Sequence, residues 1–130
     1  ELKRILRPEG LVALIWNAKA FDDSPFLAKY EAVLEAHVPE FTQVRHENVD
    51  DATRDAFFGG SYECCEFPHQ QRFDWDGVLG RVMSSSYAPR PGAPNHDVVV
   101  RELRAVFDEF AEDGRLVWPY TTQLYIGRLA

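Results

Sequence analysis

The first apolar residues of the chain are spaced as in a helix and then run together as in a buried strand. Pro8 disfavours the helical conformation at the residue before it, and Gly10 gives the backbone the freedom that a tight reversal needs. The run over 11–16 has no polar alternation, which is typical of a strand covered on both faces. A helix over 1–7 followed by such a strand predicts half of an α/β unit. Three apolar residues form one stripe of this helix: Leu2, Ile5 and Leu6.

A second helix is predicted from Pro25 onward. Ser24 suits the N-cap position, and Pro25 suits the first helical position because its missing N–H would be unpaired there. Pro39 stops the helical pattern. We expect one buried side and one polar side. The apolar residues at helical spacing are Phe26, Leu27, Tyr30, Val33, Leu34 and Val38.

Three further helices are predicted where an aspartate or asparagine cap precedes apolar residues at helical spacing. They are a short helix that ends at Phe58 and is capped by Asp50 or Asp51, a helix over 75–86 capped by Asp74, and a helix over 95–113 capped by Asn95. Gly59 and Gly60 end the first of the three. The pattern shows no internal repeat or linker, so we expect a single domain over 1–130.

Two further strands are predicted, over 62–73 and 116–129. Pro68 lies inside the first of them and lacks the N–H that a ladder needs, so this strand belongs at a sheet edge or at a bulge. Along the second strand, successive side chains are expected to point to opposite faces. The side chains expected to point one way are those of Trp118, Tyr120, Thr122, Leu124 and Ile126.

Three segments in register resemble a known family. The stretch around the fifth strand of class I S-adenosylmethionine-dependent methyltransferases is similar to LKRILRPEGLVALIWN at 2–17, and the small-molecule group of that family ends this strand in Trp-Asn. That group's S-x-S-Y segment resembles GRVMSSSYAPRPG at 80–92. Its closing strand resembles GRLVWPYTTQLYIGR at 114–128. The resemblance covers nearly the whole chain.

The resemblance implies an α/β fold, namely the C-terminal portion of the Rossmann-like methyltransferase fold. That sheet is ordered 3-2-1-4-5-7-6, and this chain would hold strands 5, 6 and 7 with their flanking helices. The cofactor-binding half is absent, since no G-x-G turn follows a strand, and Gly59 follows a predicted helix. The resemblance implies S-adenosylmethionine as the cofactor of the complete enzyme. No cofactor residue is assigned, and we expect this chain alone neither to bind it nor to catalyse.

The candidate substrate-binding residues come from three places. The first three lie just past a strand's carboxyl end, where open α/β sheets bind ligands, and the others match the family's later segments. They are Trp16, Asn17, Phe21, Ser86, Tyr87 and Tyr120. Each group also has an interpretation without a ligand. Trp16 would pack in the core, and the serine at the helix end would hydrogen-bond to the local backbone. Tyr120 would belong to an alternating strand, whose pattern requires no ligand to explain it.

Composition excludes several classes of partner. The net charge is −7 and the 14 Lys and Arg form no dense block, so nucleic acid is not an expected partner. No apolar run is long enough to span a bilayer, and no signal-peptide pattern opens the sequence. Adjacent Cys64 and Cys65 fit a reducing compartment, and we expect a cytoplasmic protein. Together with His46 and His69 they lack zinc-ligand spacing, so no metal is predicted.

The strand over 11–16 also predicts a partner. In the family's sheet it pairs with a fourth strand that this chain does not contain, and a bare apolar edge is a template for another chain. We therefore expect a homo-oligomer formed through this strand. Two alternatives of another class stay open: a small α+β ligand-binding module and a non-catalytic interaction domain.

Overall fold

The helices and strands follow the order that the sequence predicts. The computed structural model describes residues 1–19, 24–43 and 49–130. Within these ranges it is a small α/β domain with five α-helices and a three-stranded antiparallel sheet. None of the described helices has both the length and the apolar content needed to cross a membrane. In chain order the elements are α1 (Leu2–Ile5), β1 (Val12–Lys19), α2 (Pro25–His37), a 3-10 turn (Phe41–Gln43), α3 (Asp51–Phe58), β2 (Tyr62–Phe73), α4 (Trp75–Met83), α5 (His96–Phe110) and β3 (Leu116–Gly127).

The sheet has the order β1-β3-β2, so the last strand of the chain is central. This is the order that the methyltransferase resemblance implies for strands 5, 7 and 6. Both β1 and β2 are edge strands. The expectation from Pro68 is therefore confirmed, because a residue without an N–H is tolerated where no neighbour needs that donor.

The chain divides into two units. The first unit comprises Glu1–Ala18, His46–His69 and Tyr120–Ala130. The second unit comprises Lys19–Arg45 and Gln70–Pro119. Each unit has its own buried residues.

The core of the second unit is built from α2, α4, α5 and the start of β3. Its largest fully buried side chain is that of Trp118, whose ring centroid lies 5.2 Å from that of Phe26 and 5.0 Å from that of Tyr30. Helices α2 and α5 pack together, and Lys29 Nζ on α2 lies 2.6 Å from Glu109 Oε1 on α5. The buried residues on α2, α4 and α5 are those at the predicted helical spacing, among them Leu27, Leu34, Val78, Val82, Val99 and Leu103.

All four predicted N-cap residues lie at the N-cap position, but only three of them bond their own helix through the side chain. Ser24, Asp50 and Asp74 each accept a hydrogen bond from a backbone N–H in the first turn of α2, α3 and α4. Asn95 makes no such bond to α5, because its Nδ2 donates at 2.8 Å to the carbonyl oxygen of His37. The amide therefore satisfies a carbonyl that the end of α2 leaves without a helical partner.

Two predicted helix ends are also corrected. Helix α4 ends at Met83 rather than at residue 86, and α5 ends at Phe110 rather than at residue 113. After α5 the backbone becomes extended at Ala111, and Glu112 forms an antiparallel bridge with Arg115. That tight reversal leaves no room for a further helical turn.

The core of the first unit is smaller and joins α3 to the strands. Val12, Phe58 and Tyr125 are buried there, and Leu6, Leu14 and Trp16 are among the residues packed against them. The expectation that β1 is covered on both faces is wrong, because Leu11 and Ile15 are 58% and 64% exposed. The apolar stripe of α1 is likewise exposed at Leu2 and Ile5. Only one face of β1 is packed within this unit.

Candidate functional site

The six predicted substrate-binding residues do not all fall in one unit. Trp16, Asn17 and Tyr120 lie in the first unit, whereas Ser86 and Tyr87 lie in the second. Phe21 lies outside the described residues.

Asn17 and Tyr120 belong to a polar group that spans the three strands of the first unit. Thr122 Oγ1 donates a hydrogen bond of 2.7 Å to Asn17 Oδ1. His69 Nε2 lies 3.4 Å from the same oxygen. The imidazole of His69 stacks on the ring of Tyr120, with the centroids 5.4 Å apart and the planes at 19°. We call Asn17, His69, Tyr120 and Thr122 the polar cluster.

The pleat of the sheet explains why these four side chains meet. Successive residues of a strand point to opposite faces, so Tyr120 and Thr122 share a face of β3. Asn17 reaches this face from β1 and His69 reaches it from β2. Asn17 lies near the carboxyl end of β1, and His69 lies in the second half of β2. The cluster is thus one layer of side chains across adjacent strands.

Trp16 faces the other way, as its neighbour Asn17 requires. Its Nε1 donates at 2.9 Å to Gln123 Oε1, and Gln123 Nε2 donates at 2.8 Å to Glu66 Oε1. The indole ring also lies 5.0 Å from the ring of Tyr125. These contacts favour the interpretation of Trp16 as a packed residue with a satisfied N–H.

Arg54 of α3 packs on the same face as Trp16. Its guanidinium lies 5.0 Å from the centroid of the Tyr125 ring and donates to the carboxylate of Asp51, which raises the pKa of Arg54 above its usual value. Burial raises the pKa of Tyr125, and desolvation raises that of Tyr62. Both phenols are therefore neutral at physiological pH.

The candidates of the second unit follow α4. The hydroxyl oxygen of Tyr87 lies 3.4 Å from that of Tyr30, and its ring packs edge-on against Phe41 at 5.1 Å. Ser86 is exposed in the turn that follows the helix. Its neighbour Ser84 donates at 2.8 Å to the carbonyl oxygen of Arg81, the local bond expected of a serine at a helix end.

Three surface clefts formed by described residues lie apart from the predicted residues that the structure describes. One of about 440 Å³ is lined by the loop after α1 and by the chain end beyond β3. Another, of about 540 Å³, is lined by β2 and β3 residues around Tyr62, and one of about 350 Å³ lies beside Phe26 in the second unit. None of the three is lined by Trp16, Asn17, Tyr87 or Tyr120.

Sequence reasoning considered His69 only as a metal ligand and so missed its place in the polar cluster. Its position on β2 was available from the alternation, which puts Cys65, Phe67 and His69 on one face. What the alternation lacks is the register against β3, which brings His69 onto Tyr120. Among the described residues, no group of three or more His, Cys, Asp or Glu side chains is arranged to hold a metal ion.

No protein-family model matches the sequence, and a search of the curated proteins finds no match to it.

Proposed function

We propose that this chain is the C-terminal, substrate-side part of an S-adenosylmethionine-dependent methyltransferase that acts on a small molecule. The observation that carries the proposal is the strand order β1-β3-β2 in an antiparallel sheet. A helix and a tight Pro8–Gly10 turn lead into β1, as in the family's approach to its fifth strand. Since periodicity alone does not fix strand order, its agreement with 5-7-6 is independent support.

The residues of this chain do not fit the cofactor itself. In such folds a glycine-rich turn joins a strand to a helix and lets the backbone approach the ligand. Here Gly59 and Gly60 have φ of 67° and 76°, and they end α3 and lead into a strand. We therefore assign the cofactor to a preceding half of the complete enzyme and derive no catalytic step for this chain.

The proposal predicts the outcome of a cofactor titration. Isothermal titration of S-adenosylmethionine into this chain should give no measurable binding. The product of the full reading frame should bind it, because the sequence encoded before Glu1 is expected to contain the glycine-rich strand–turn–helix. A dissociation constant in the micromolar range or tighter for the chain alone would contradict the assignment, and so would a full-length product that fails to bind.

We further propose that isolated copies of this chain associate through β1. This strand lies at the sheet edge, and its Ile15 side chain is more than half exposed, as is that of Leu11 just before the strand. An unprotected apolar edge pairs readily with another strand, and a lysine on such an edge opposes pairing. In the complete enzyme the same edge would be occupied by the fourth strand.

Light scattering tests this association directly. The native chain should run as a dimer or larger species at micromolar concentration, and Ile15→Lys should shift it toward the monomer. Val49→Lys is the matched control, because Val49 is an exposed apolar residue outside the strands. A native chain that is monomeric throughout this concentration range would refute association through β1.

A ligand-binding module without methyl transfer is the second candidate. The polar cluster favours it, because all four of its side chains come from strands of this chain. The reading frame before Glu1 separates the two candidates. For either one we propose the cytoplasm as the compartment, since Cys64 and Cys65 are both free and exposed, as expected where thiols stay reduced.

A further inference from the structure

We infer that a second copy of this chain pairs with β1 in an antiparallel arrangement, about a two-fold axis at Ile15. The inference rests on the association through β1 proposed above and adds the direction and the register of the two strands. It follows from the alignment of the three strands in the first unit, from the position of Pro68, and from the side chains along β1.

Side-chain contacts align β2 with β3 residue by residue. Gln123 donates a hydrogen bond to Glu66, which places these two residues opposite each other. His69 stacks on Tyr120, three residues further along β2 and three residues back along β3. The alignment is therefore the same before and after Pro68, and β2 passes this proline without a bulge.

Pro68 decides which neighbour each residue of the sheet bonds to. In an antiparallel ladder the N–H and C=O of one residue point to the same side, and those of the next residue point to the other. Pro68 has no N–H, so its position faces away from β3. The odd-numbered residues of β2 then bond to β3. Because His69 lies opposite Tyr120, the even-numbered residues of β3 bond to β2 and its odd-numbered residues bond to β1.

The same alternation extends to the outer edge of β1. Trp16 donates to Gln123, and Thr122 donates to Asn17, so these residues lie opposite each other in pairs. The odd-numbered Gln123 thus bonds through its backbone to Trp16. The odd-numbered residues of β1 consequently point their N–H and C=O groups away from the sheet. Within the strand they include Ala13, Ile15 and Asn17.

The two edges of the sheet differ in what they offer to a further strand. The outer row of N–H groups on β2 is interrupted at Pro68, and this strand also carries Glu63, Glu66 and Arg72. Proline and charged side chains both oppose edge pairing. The sequence over 11–18 contains neither a proline nor a charged residue. Of the two edges, β1 is therefore the one that another strand can extend.

Two-fold symmetry makes a second copy the partner that fits this edge. In a closed dimer of identical chains, both subunits use the same surface. An axis perpendicular to the sheet sets one β1 antiparallel to the other and keeps each face of the sheet continuous. The outward row of Ala13, Ile15 and Asn17 then faces the same row in reverse, so each N–H meets a C=O. The edge is complementary to itself.

The side chains of β1 place the axis at Ile15. There Ile15 faces the same residue of the second copy on one side of the sheet, and Leu14 faces Trp16 of the second copy on the other. Ile15 is 64% exposed in the single chain, and β-branched and aromatic cross-strand pairs stabilise a sheet. An axis at Trp16 would set Ile15 against the amide of Asn17. An axis at Leu14 would leave the end of β1 unpaired.

Disulfide trapping tests this register. Cys64 and Cys65 are exposed and free, so both are first replaced by serine. Paired residues have Cα atoms about 5.5 Å apart, which a disulfide can bridge, whereas residues four positions out of register are about 13 Å apart. With glutathione disulfide, Ile15→Cys should crosslink to itself. Ala13→Cys and Asn17→Cys should each crosslink poorly alone and readily when mixed, because they face each other across the axis.

Val49→Cys in the same background is the matched control, since Val49 is exposed and lies outside the strands. At micromolar protein, Ile15→Cys should crosslink at least about tenfold faster, because facing thiols have an effective concentration far above that of the bulk. Equal rates, or fast self-crosslinking of Ala13→Cys or Asn17→Cys, would overturn the inference. If Ile15→Cys weakens pairing or folding, the mixture decides: its mixed disulfide, identified by mass, supports the axis at Ile15, and its absence overturns it.

Failure of this inference is distinguishable from failure of the proposed function. If light scattering shows a dimer that Ile15→Lys dissociates while the thiols trap another pairing, association through β1 survives with a different register. A native chain that is monomeric overturns both the association and the register. The methyltransferase proposal is decided separately, by the cofactor titration.

Discussion

Trp118→Ala should lower the free energy of unfolding by about 3–5 kcal/mol. The indole is fully buried, and its ring packs edge-on against Phe26, Tyr30 and Phe73 at 5.2, 5.0 and 6.0 Å. Its removal deletes apolar contact on several sides and leaves a cavity that these rings can fill only in part. Because domains of this size are typically stable by about 5–15 kcal/mol, much of the total would be lost.

Urea denaturation followed by circular dichroism at the helical band measures this loss without relying on tryptophan fluorescence. Val117→Ala is the matched control, since Val117 is the preceding residue of β3 and is 38% exposed. It should change the unfolding free energy by no more than about 0.5 kcal/mol. Similar losses for the two variants would show that Trp118 is not central to the second unit.

Gly127→Ala should be the most disruptive of the small substitutions in the first unit. An added Cβ would lie 2.8 Å from the carbonyl oxygen of Ser61 and 2.9 Å from atoms of Phe58 and Tyr62. The first of these is backbone of the segment that enters β2, so it cannot rotate away as a side chain does. We expect a loss of about 1–3 kcal/mol in the free energy of unfolding, as for overpacked cores.

Gly80→Ala provides the opposite expectation for the same chemical change. Nothing lies within 4 Å of a Cβ placed there, and Gly80 is inside α4. Alanine should therefore stabilise the helix by about 0.5–1 kcal/mol. Thermal melts of the two variants should shift in opposite directions. A melt of Gly127→Ala that equals the native chain would contradict the close approach of β3 to Ser61.

Features set by a few neighbouring residues were predicted from the sequence. The predicted starts of α2 and α3 agree with the structure, because the side chains of Ser24 and Asp50 accept hydrogen bonds from backbone N–H groups in the first turns of these helices. The end of α3 agrees because Gly59 adopts the left-handed conformation that terminates a helix at little cost. Asn95 shows the limit of this reasoning: a good cap residue was predicted locally, but a carbonyl 58 residues away binds its amide.

The strand order is an intermediate case. Alternation and Pro68 predicted the strands and placed β2 at an edge, but neither states which strand is central. That expectation came from the methyltransferase resemblance, and the observed order agrees with it. The burial of β1 was predicted incorrectly. Its apolar run predicts burial on two faces, but only one face is packed within the first unit.

By itself, the sequence determined the segments that become helices and strands and most of the apolar residues of α2, α4 and α5 that fill the core of the second unit. The tertiary structure decided the polar cluster, in which Asn17 meets His69 and Thr122 across 52 and 105 residues of chain. The physical reason is register. A slip of one residue between β1 and β3 would present Thr121 or Gln123 instead of Thr122, and no local preference distinguishes these pairings. Only the packing of side chains on both faces of the sheet does so.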